Sequence, residues 1–140
     1  MADTKKYLDL NGLEYFYNKL KVLFSNIDSY LNFLKSSSTS ETSLSNINVN
    51  TRLHVVNVSS NQTLSLVGGS SGGSVATAGR DVHIIIKNTS SETITVTMPT
   101  DSATNILVCE SSYDVEAGKY LEVNVISDGT SAYYRAAEQN

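Results

Sequence analysis

Residues 11 to 35 read NGLEYFYNKLKVLFSNIDSYLNFLK, and the spacing of apolar side chains in this stretch decides the first element of the fold. Large apolar residues recur at alternating intervals of three and four positions, which is the pattern of the a and d positions of a coiled coil. The sequence therefore predicts an oligomerising helical segment over residues 1 to 35. Its helix seam consists of Leu13, Phe16, Leu20, Leu23, Ile27, Tyr30 and Leu34.

The start and the width of this helix can also be predicted. Asn11 is a candidate N-cap, with Glu14 three residues later as its capping-box partner. Tyr17, Phe24 and Leu31 each follow a d position, so the apolar face is broader than a two-stranded zipper requires. Three strands, or a helix that also packs on something else, fit this width better. The alternative is a single amphipathic helix that lies across its own β domain.

Residues 36 to 51 begin SSSTSETSLSNINVN and contain mostly Ser, Thr and Asn. Such a segment offers little apolar surface to bury, so it predicts a flexible or extended linker. A helix separated by a linker can project away from the rest of the chain, which favours packing between molecules.

Residues 52 to 140 alternate apolar and polar side chains in short runs rich in Val, Ile, Thr and Tyr. This pattern predicts an antiparallel β-sandwich or jelly roll of about seven or eight strands. Two hairpins are expected, one joining DVHIIIKN to ETITVTMP and one joining KYLEVNVI to SAYYRAA through an Asp-Gly turn. Alternation predicts that Ile94, Val96 and Met98 face the core, as do Leu121, Val123 and Val125.

Composition excludes several classes of function. The net charge is -4 and basic residues are scattered, which argues against a nucleic-acid-binding surface. No signal-peptide pattern and no apolar run of membrane-spanning length is present, so neither secretion through a signal peptide nor membrane insertion is expected. Cys109 is the single cysteine, so an intrachain disulfide is excluded.

Catalytic residues are difficult to assemble from this sequence. His54 or His83 would have to combine with a serine and with Asp81, Asp101 or Asp114, but no G-x-S-x-G or similar signature surrounds any serine. We therefore expect no enzymatic activity and no cofactor.

Metal binding is also not expected. The two histidines are far apart in sequence, and Cys109 has no second thiol nearby, so its predicted role is that of a small buried side chain at a strand end. Glu110, Asp114 and Glu116 cluster in one segment, but they lack EF-hand spacing and are interpreted as a solvated loop.

Two places could contact a ligand or a host surface. One is the glycine-rich run from 68 to 80, centred on Gly72 and Gly73, which lacks the Lys-Ser/Thr ending of a phosphate-binding loop and is predicted to be a long loop. The other is a tyrosine platform using Tyr113 and Tyr134. Adjacent tyrosines in a strand point to opposite faces, so only one of Tyr133 and Tyr134 can join a given patch.

The opening KKYLDLNGLEYFYNKLKVLF, residues 5 to 24, resembles a segment of tail, fibre and other virion proteins of bacteriophages and prophages. AGRDVHIIIKNTSSETITVTMPT and VEAGKYLEVNVISDGTSAYYRA, residues 78 to 100 and 115 to 136, are similar to the β domain of short phage fibres and appendages. The resemblance implies a virion structural protein, commonly a homotrimer with a helical stalk that docks on the particle and a β knob that faces outward. A crAss-like gut phage would be a fitting source.

The expected function is therefore a non-enzymatic head or tail fibre, made in the bacterial cytoplasm and located in the phage particle. Its expected partners are copies of itself, other capsid or tail proteins, and a host-surface glycan or protein. The alternative hypothesis is a carbohydrate-binding or adhesin module that recognises a host-surface glycan.

Overall fold

The structure, a computed structural model, describes residues 10 to 68, 80 to 99, 106 to 108, 110 to 128 and 131 to 139. They form one N-terminal helix followed by a predominantly β unit with several sheets. The chain divides into two compact units, residues 1 to 34 and the β unit, residues 35 to 140. The elements are α1 Leu10–Lys35, β1 Ser37–Glu41, β2 Ile47–Asn48, β3 Leu53–Val58, β4 Gln62–Thr63, β5 Leu66–Val67, β6 Asp81–Asn88, β7 Ile94–Thr97, β8 Ile106–Val108, β9 Ser112–Val115, β10 Tyr120–Ser127 and β11 Ala132–Gln139.

Helix α1 covers 26 residues and is about 39 Å long at 1.5 Å per residue. It already includes Leu10, so Asn11 lies inside the helix and the predicted N-cap is wrong. The helix ends at Lys35, whose positive charge is favourable beside the carbonyl groups of the last turn. Leu34, the last residue of the helix seam, lies in the final helical turn, so the apolar repeat runs to the end of the helix.

The segment from 36 to 51 is part of the β unit, so its interpretation as a linker is wrong. It forms β1 and β2, and Leu44, Ile47 and Val49 are completely or almost completely buried. These three apolar residues supply the inward side chains, while most of the surrounding Ser, Thr and Asn residues are exposed. The overall composition did not indicate these strands, because strands this short need only a few apolar residues at inward positions.

Many of the strands are parallel. The largest sheet has six strands in the order β1-β3-β6-β10-β11-β8, with parallel β1-β3, β3-β6 and β11-β8 pairs. The small sheets contain the parallel β2-β5 and β4-β7 pairs, and β9 adds to β7 in the antiparallel direction. The prediction of an antiparallel sandwich or jelly roll is therefore wrong in its strand directions, and eleven strands are described where about seven or eight were expected.

The parallel pairs join successive passes of the chain. The first pass supplies β1 and β2, the second supplies β3, β4 and β5, and the third supplies β6 and β7. Each strand pairs with its counterpart in the neighbouring pass, as Ser37 with Leu53 and Leu53 with His83. This part of the β unit is thus a short solenoid-like stack, in which each pass covers the core of its neighbour.

Of the two expected hairpins, one is confirmed and one is wrong. Strands β10 and β11 pair antiparallel from Tyr120 opposite Gln139 to Ser127 opposite Ala132. Strand β6 pairs with β3 and β10, whereas β7 pairs with β4 and β9. The buried Asn88 directs this change of sheet, since its amide donates to the carbonyl oxygens of Glu92 and Val115 at 2.7 and 2.9 Å. The chain therefore turns a corner where a hairpin was expected.

The core follows the predicted alternation. Ile94, Val96 and Met98 are buried, and so are Leu121, Val123 and Val125. They join one hydrophobic cluster with side chains from the solenoid-like strands, including Val56, Val58, Val82, Ile84 and Ile86. Burying each such side chain contributes about 1.5–3 kcal/mol. One apolar cluster therefore links the parallel and the antiparallel halves of the β unit.

Gly68 is expected to be intolerant of a side chain. Its φ of 84° lies in the left-handed region, and an added Cβ would lie 2.6 Å from Oδ1 of Asn48. We expect Gly68→Ala to lower the free energy of unfolding by about 2 kcal/mol, from the backbone cost of 1–2 kcal/mol and the crowding of Asn48. The matched control is Gly118→Ala, where φ is 73° but nothing lies within 4 Å of the added Cβ. Equal losses in urea denaturation would contradict the role of Asn48.

Candidate functional site

The helix seam is largely exposed in the single chain. Leu13 and Leu23 expose 54% and 53% of their surface, and Leu34 exposes 38%. Phe16, Ile27 and Tyr30 are also exposed, and Leu20 is half-buried. Exposed apolar area on this scale marks a surface that binds a partner. The helix face is therefore the main candidate interaction site of the described chain.

A second apolar column widens this face. Tyr17, Phe24 and Leu31 are exposed, as the sequence predicted for a broad stripe. Leu10 lies seven residues before Tyr17 and continues the same column, and it is 80% exposed. Leu10 was not among the residues predicted for this face, although its heptad spacing from Tyr17 is a sufficient signal. Together the a, d and e columns span about 100° of the helix circumference.

Lysines beside the seam contact aromatic rings. The Nζ atom of Lys19 lies 5.4 Å from the ring centroid of Tyr15, and that of Lys21 lies 5.6 Å from the ring of Tyr17. Both distances are within the range of cation–π attraction, which is worth about 0.5–1 kcal/mol at an exposed site. These pairs fix the tyrosine rings against the helix and keep the positive charges at the sides of the apolar face.

In the described part of the chain, no helix has the length and apolarity needed to cross a membrane. Glu14, Lys19, Lys21 and Asp28 lie outside the a, d and e columns, so charged side chains accompany the apolar face along α1, which explains this finding. The hydrophobic surface of α1 is a stripe and does not surround the helix.

Both candidate catalytic histidines contact carboxylates. His54 is 1% exposed, its Nδ1 lies 2.8 Å from Oε2 of Glu41, and its Nε2 lies 3.0 Å from the carbonyl oxygen of Asn48. His83 is half-buried and its Nε2 contacts Oε1 of Glu122. Neither ring is hydrogen-bonded to a serine within the described residues. Both nitrogens of His54 face acceptors, so the ring ties β3 to β1 and β2 and has no free nitrogen for proton transfer.

The three acidic side chains of the segment from 110 to 116 are exposed. Glu110 and Glu116 are exposed, and Oδ1 of Asp114 accepts a hydrogen bond of 2.7 Å from the hydroxyl of Thr95. Over the described ranges, no group of three His, Cys, Asp or Glu side chains is placed to hold a metal ion. Cys109 and Asp101 lie outside the described residues. Asp114 therefore lies on strand β9, opposite Thr95 of β7, and the interpretation of this segment as a loop is wrong at Asp114.

Of the predicted recognition residues, the structure describes the two tyrosines. Gly72 and Gly73 lie outside the described residues. Tyr113 is half-buried and packs against the hydrophobic core. Tyr134 is 4% exposed, so its assignment to a surface platform is wrong. The strand alternation places Tyr133 on the outside instead, where it is 41% exposed.

Burial changes the acid-base behaviour of Tyr134. Desolvation of its phenol raises the pKa of this side chain well above the ordinary tyrosine value of 10.0. Since the charged form is disfavoured inside the core, Tyr134 stays neutral at any pH at which a surface tyrosine is neutral. The residue acts as a large core side chain that holds β11 against the rest of the hydrophobic cluster.

Comparison with known proteins adds no relative: no protein family model, curated protein or solved structure matches this chain.

Proposed function

We propose that this chain is a homo-oligomeric structural protein of a bacteriophage particle, a short head or tail fibre without enzymatic activity. Helix α1 is the assembly and attachment element, and the β unit is the exposed knob. The observation that carries this proposal is the apolar face of α1, which is exposed along the length of a 26-residue helix.

Burial of this face would supply a gross gain comparable to the entropic cost of association. Full burial of a large apolar side chain is worth about 1.5–3 kcal/mol. Since the seam residues are roughly half exposed, burial of the exposed half would contribute about 1 kcal/mol for each side chain. The outer column adds Leu10, Tyr17, Phe24 and Leu31, so about ten side chains per helix contribute a gross gain of about 10 kcal/mol. The entropic cost of association is of similar size, about 4–15 kcal/mol. A trimer would favour burial of this face, because every helix would pack against two others.

A second copy of the same helix is the partner that best matches this face. Within α1, Lys19 is the one charged residue in the e and g columns directly beside the seam, and a two-stranded zipper would leave the e column exposed. A bundle of at least three helices covers the a, d and e columns together. The coiled coil and the trimer are therefore part of this proposal.

The assignment to a phage particle rests on the resemblance of residues 5 to 24, 78 to 100 and 115 to 136 to virion proteins. A helical stalk joined to a β knob is consistent with that class. Tryptic mass spectrometry of phage particles released by the host that carries the gene tests this assignment. The presence of the chain in purified particles is expected, and its absence from them would overturn the virion location.

Light scattering coupled to gel filtration tests the assembly. We expect the full chain to have three times its mass of 15.1 kDa, because a trimer buries the three apolar columns. A measured mass of two chains would support self-association but would contradict the trimer. A monomer over the micromolar range would contradict the proposed role of the helix seam.

A further inference from the structure

The outward face of the β10-β11 hairpin carries a row of polar side chains. Leu121, Val123 and Val125 point into the core, so Glu122 and Asn124 point outward from β10. On β11, Arg135 pairs with Asn124, and Ala137 pairs with Glu122. Two cross-strand pairs therefore bring a carboxylate, an amide and a guanidinium group together around a small alanine side chain.

A depression of about 180 Å³ lies at this place and is lined by Glu122, Asn124, Arg135, Ala136 and Ala137. The depression is present because the alanine side chains leave space that larger residues would fill. Within the described residues, the side chains of Asn124 and Arg135 have no hydrogen-bond partner, and Glu122 uses Oε1 for His83 and retains Oε2. The depression thus offers free donors and free acceptors at once.

An exposed aromatic side chain lies on the same face of β11 as the depression. Tyr133 lies on the same face of β11 as Arg135, two residues away and therefore about 7 Å along the strand. Its ring is 41% exposed, and its hydroxyl donates a 2.9 Å hydrogen bond to Oδ2 of Asp128. This bond fixes the orientation of the ring and leaves the ring face as a flat apolar surface.

We propose that this face binds a neutral saccharide, as a residue within a polysaccharide chain. Sugar hydroxyls both donate and accept hydrogen bonds, which matches the carboxylate, amide and guanidinium groups, and the apolar face of a sugar ring packs on an exposed aromatic ring. Glu122 and Arg135 balance in charge, which gives no preference for a polyanion. The proposal does not depend on helix assembly, since all of its residues lie in one β unit.

Affinity electrophoresis of the full chain in gels containing dextran, mannan or xylan tests this site, with heparin as the anionic comparison. We expect retardation by at least one of the three neutral polysaccharides. Asn124→Ala and Arg135→Ala are each expected to weaken that binding about tenfold, because each removes hydrogen bonds to the sugar. Both residues are at the surface, so circular dichroism should show unchanged folding.

Thr97→Ala is the matched control, because Thr97 is exposed on β7 in a different sheet and its loss should change binding less than about twofold. Retardation by none of the neutral polysaccharides, or by heparin alone, would overturn the proposal. Retardation that both depression variants retain in full would also overturn it.

Discussion

Leu23→Asp is expected to convert the assembled protein into a monomer. Leu23 lies in the middle of the helix seam and is 53% exposed in the single chain, so an aspartate there is tolerated by the monomer. In the proposed assembly the same side chain would face the other copies, where an unpaired buried carboxylate costs several kcal/mol. Three such charges near one axis would also repel each other. Light scattering should therefore give 15.1 kDa in place of three times that mass.

Ser25→Asp is the matched control for this substitution. Ser25 is exposed and lies on the polar side of the same helical turns, so the same new charge should leave the mass unchanged. Far-ultraviolet circular dichroism of the β unit should be similar in both variants. A Leu23→Asp protein with the mass of the wild-type assembly would show that another surface holds the copies together.

His54→Ala is expected to lower the free energy of unfolding of the β unit by about 3 kcal/mol. The imidazole is 1% exposed and fills space in the core, so its removal leaves a cavity. The carbonyl oxygen of Asn48 loses its donor, and a buried polar group without a partner costs about 1–3 kcal/mol. Glu41 also loses its contact with Nδ1. Urea denaturation at neutral pH measures the difference.

His83→Ala provides the comparison, since it removes the same type of side chain from a half-exposed position. Its side chain is 31% exposed and its partner Glu122 is 32% exposed, so water can replace the lost contact. A hydrogen bond between partly exposed side chains contributes about 0.5–1.5 kcal/mol, and we expect a loss of at most about 1 kcal/mol. Similar losses for the two variants would contradict the structural role of His54.

The alternation of residues could be predicted from sequence, but the strand directions could not. In KYLEVNVI every second side chain is apolar, and the Asp-Gly turn follows directly. Neighbouring residues were therefore enough to predict both the inward face and the hairpin partner of this strand. The partner of β6 is β3, whose residues are about thirty positions earlier in the chain, as Leu53 pairs with His83. Nothing in the local pattern encodes a parallel partner at that distance.

The candidate site shows the same division. Heptad spacing identified the helix seam, because every residue of a helix face is set by its own position in the sequence. The depression between Glu122 and Arg135 depends on the β10-β11 register, which places the small Ala137 opposite Glu122. The choice between Tyr133 and Tyr134 needed the phase of β11, which the sequence left open. Sites that need cross-strand neighbours are therefore found only once the register is known.

The polar first strand has a consequence for the solubility of the protein. Strand β1 reads SSTSE and forms one edge of the six-stranded sheet. A parallel stack exposes unpaired backbone groups at its end, and these groups are a template on which strands of other molecules can add. Hydroxyl and carboxylate side chains with little apolar surface make such addition unfavourable. Replacing these residues with valine or isoleucine would convert a terminated stack into one that can polymerise end to end.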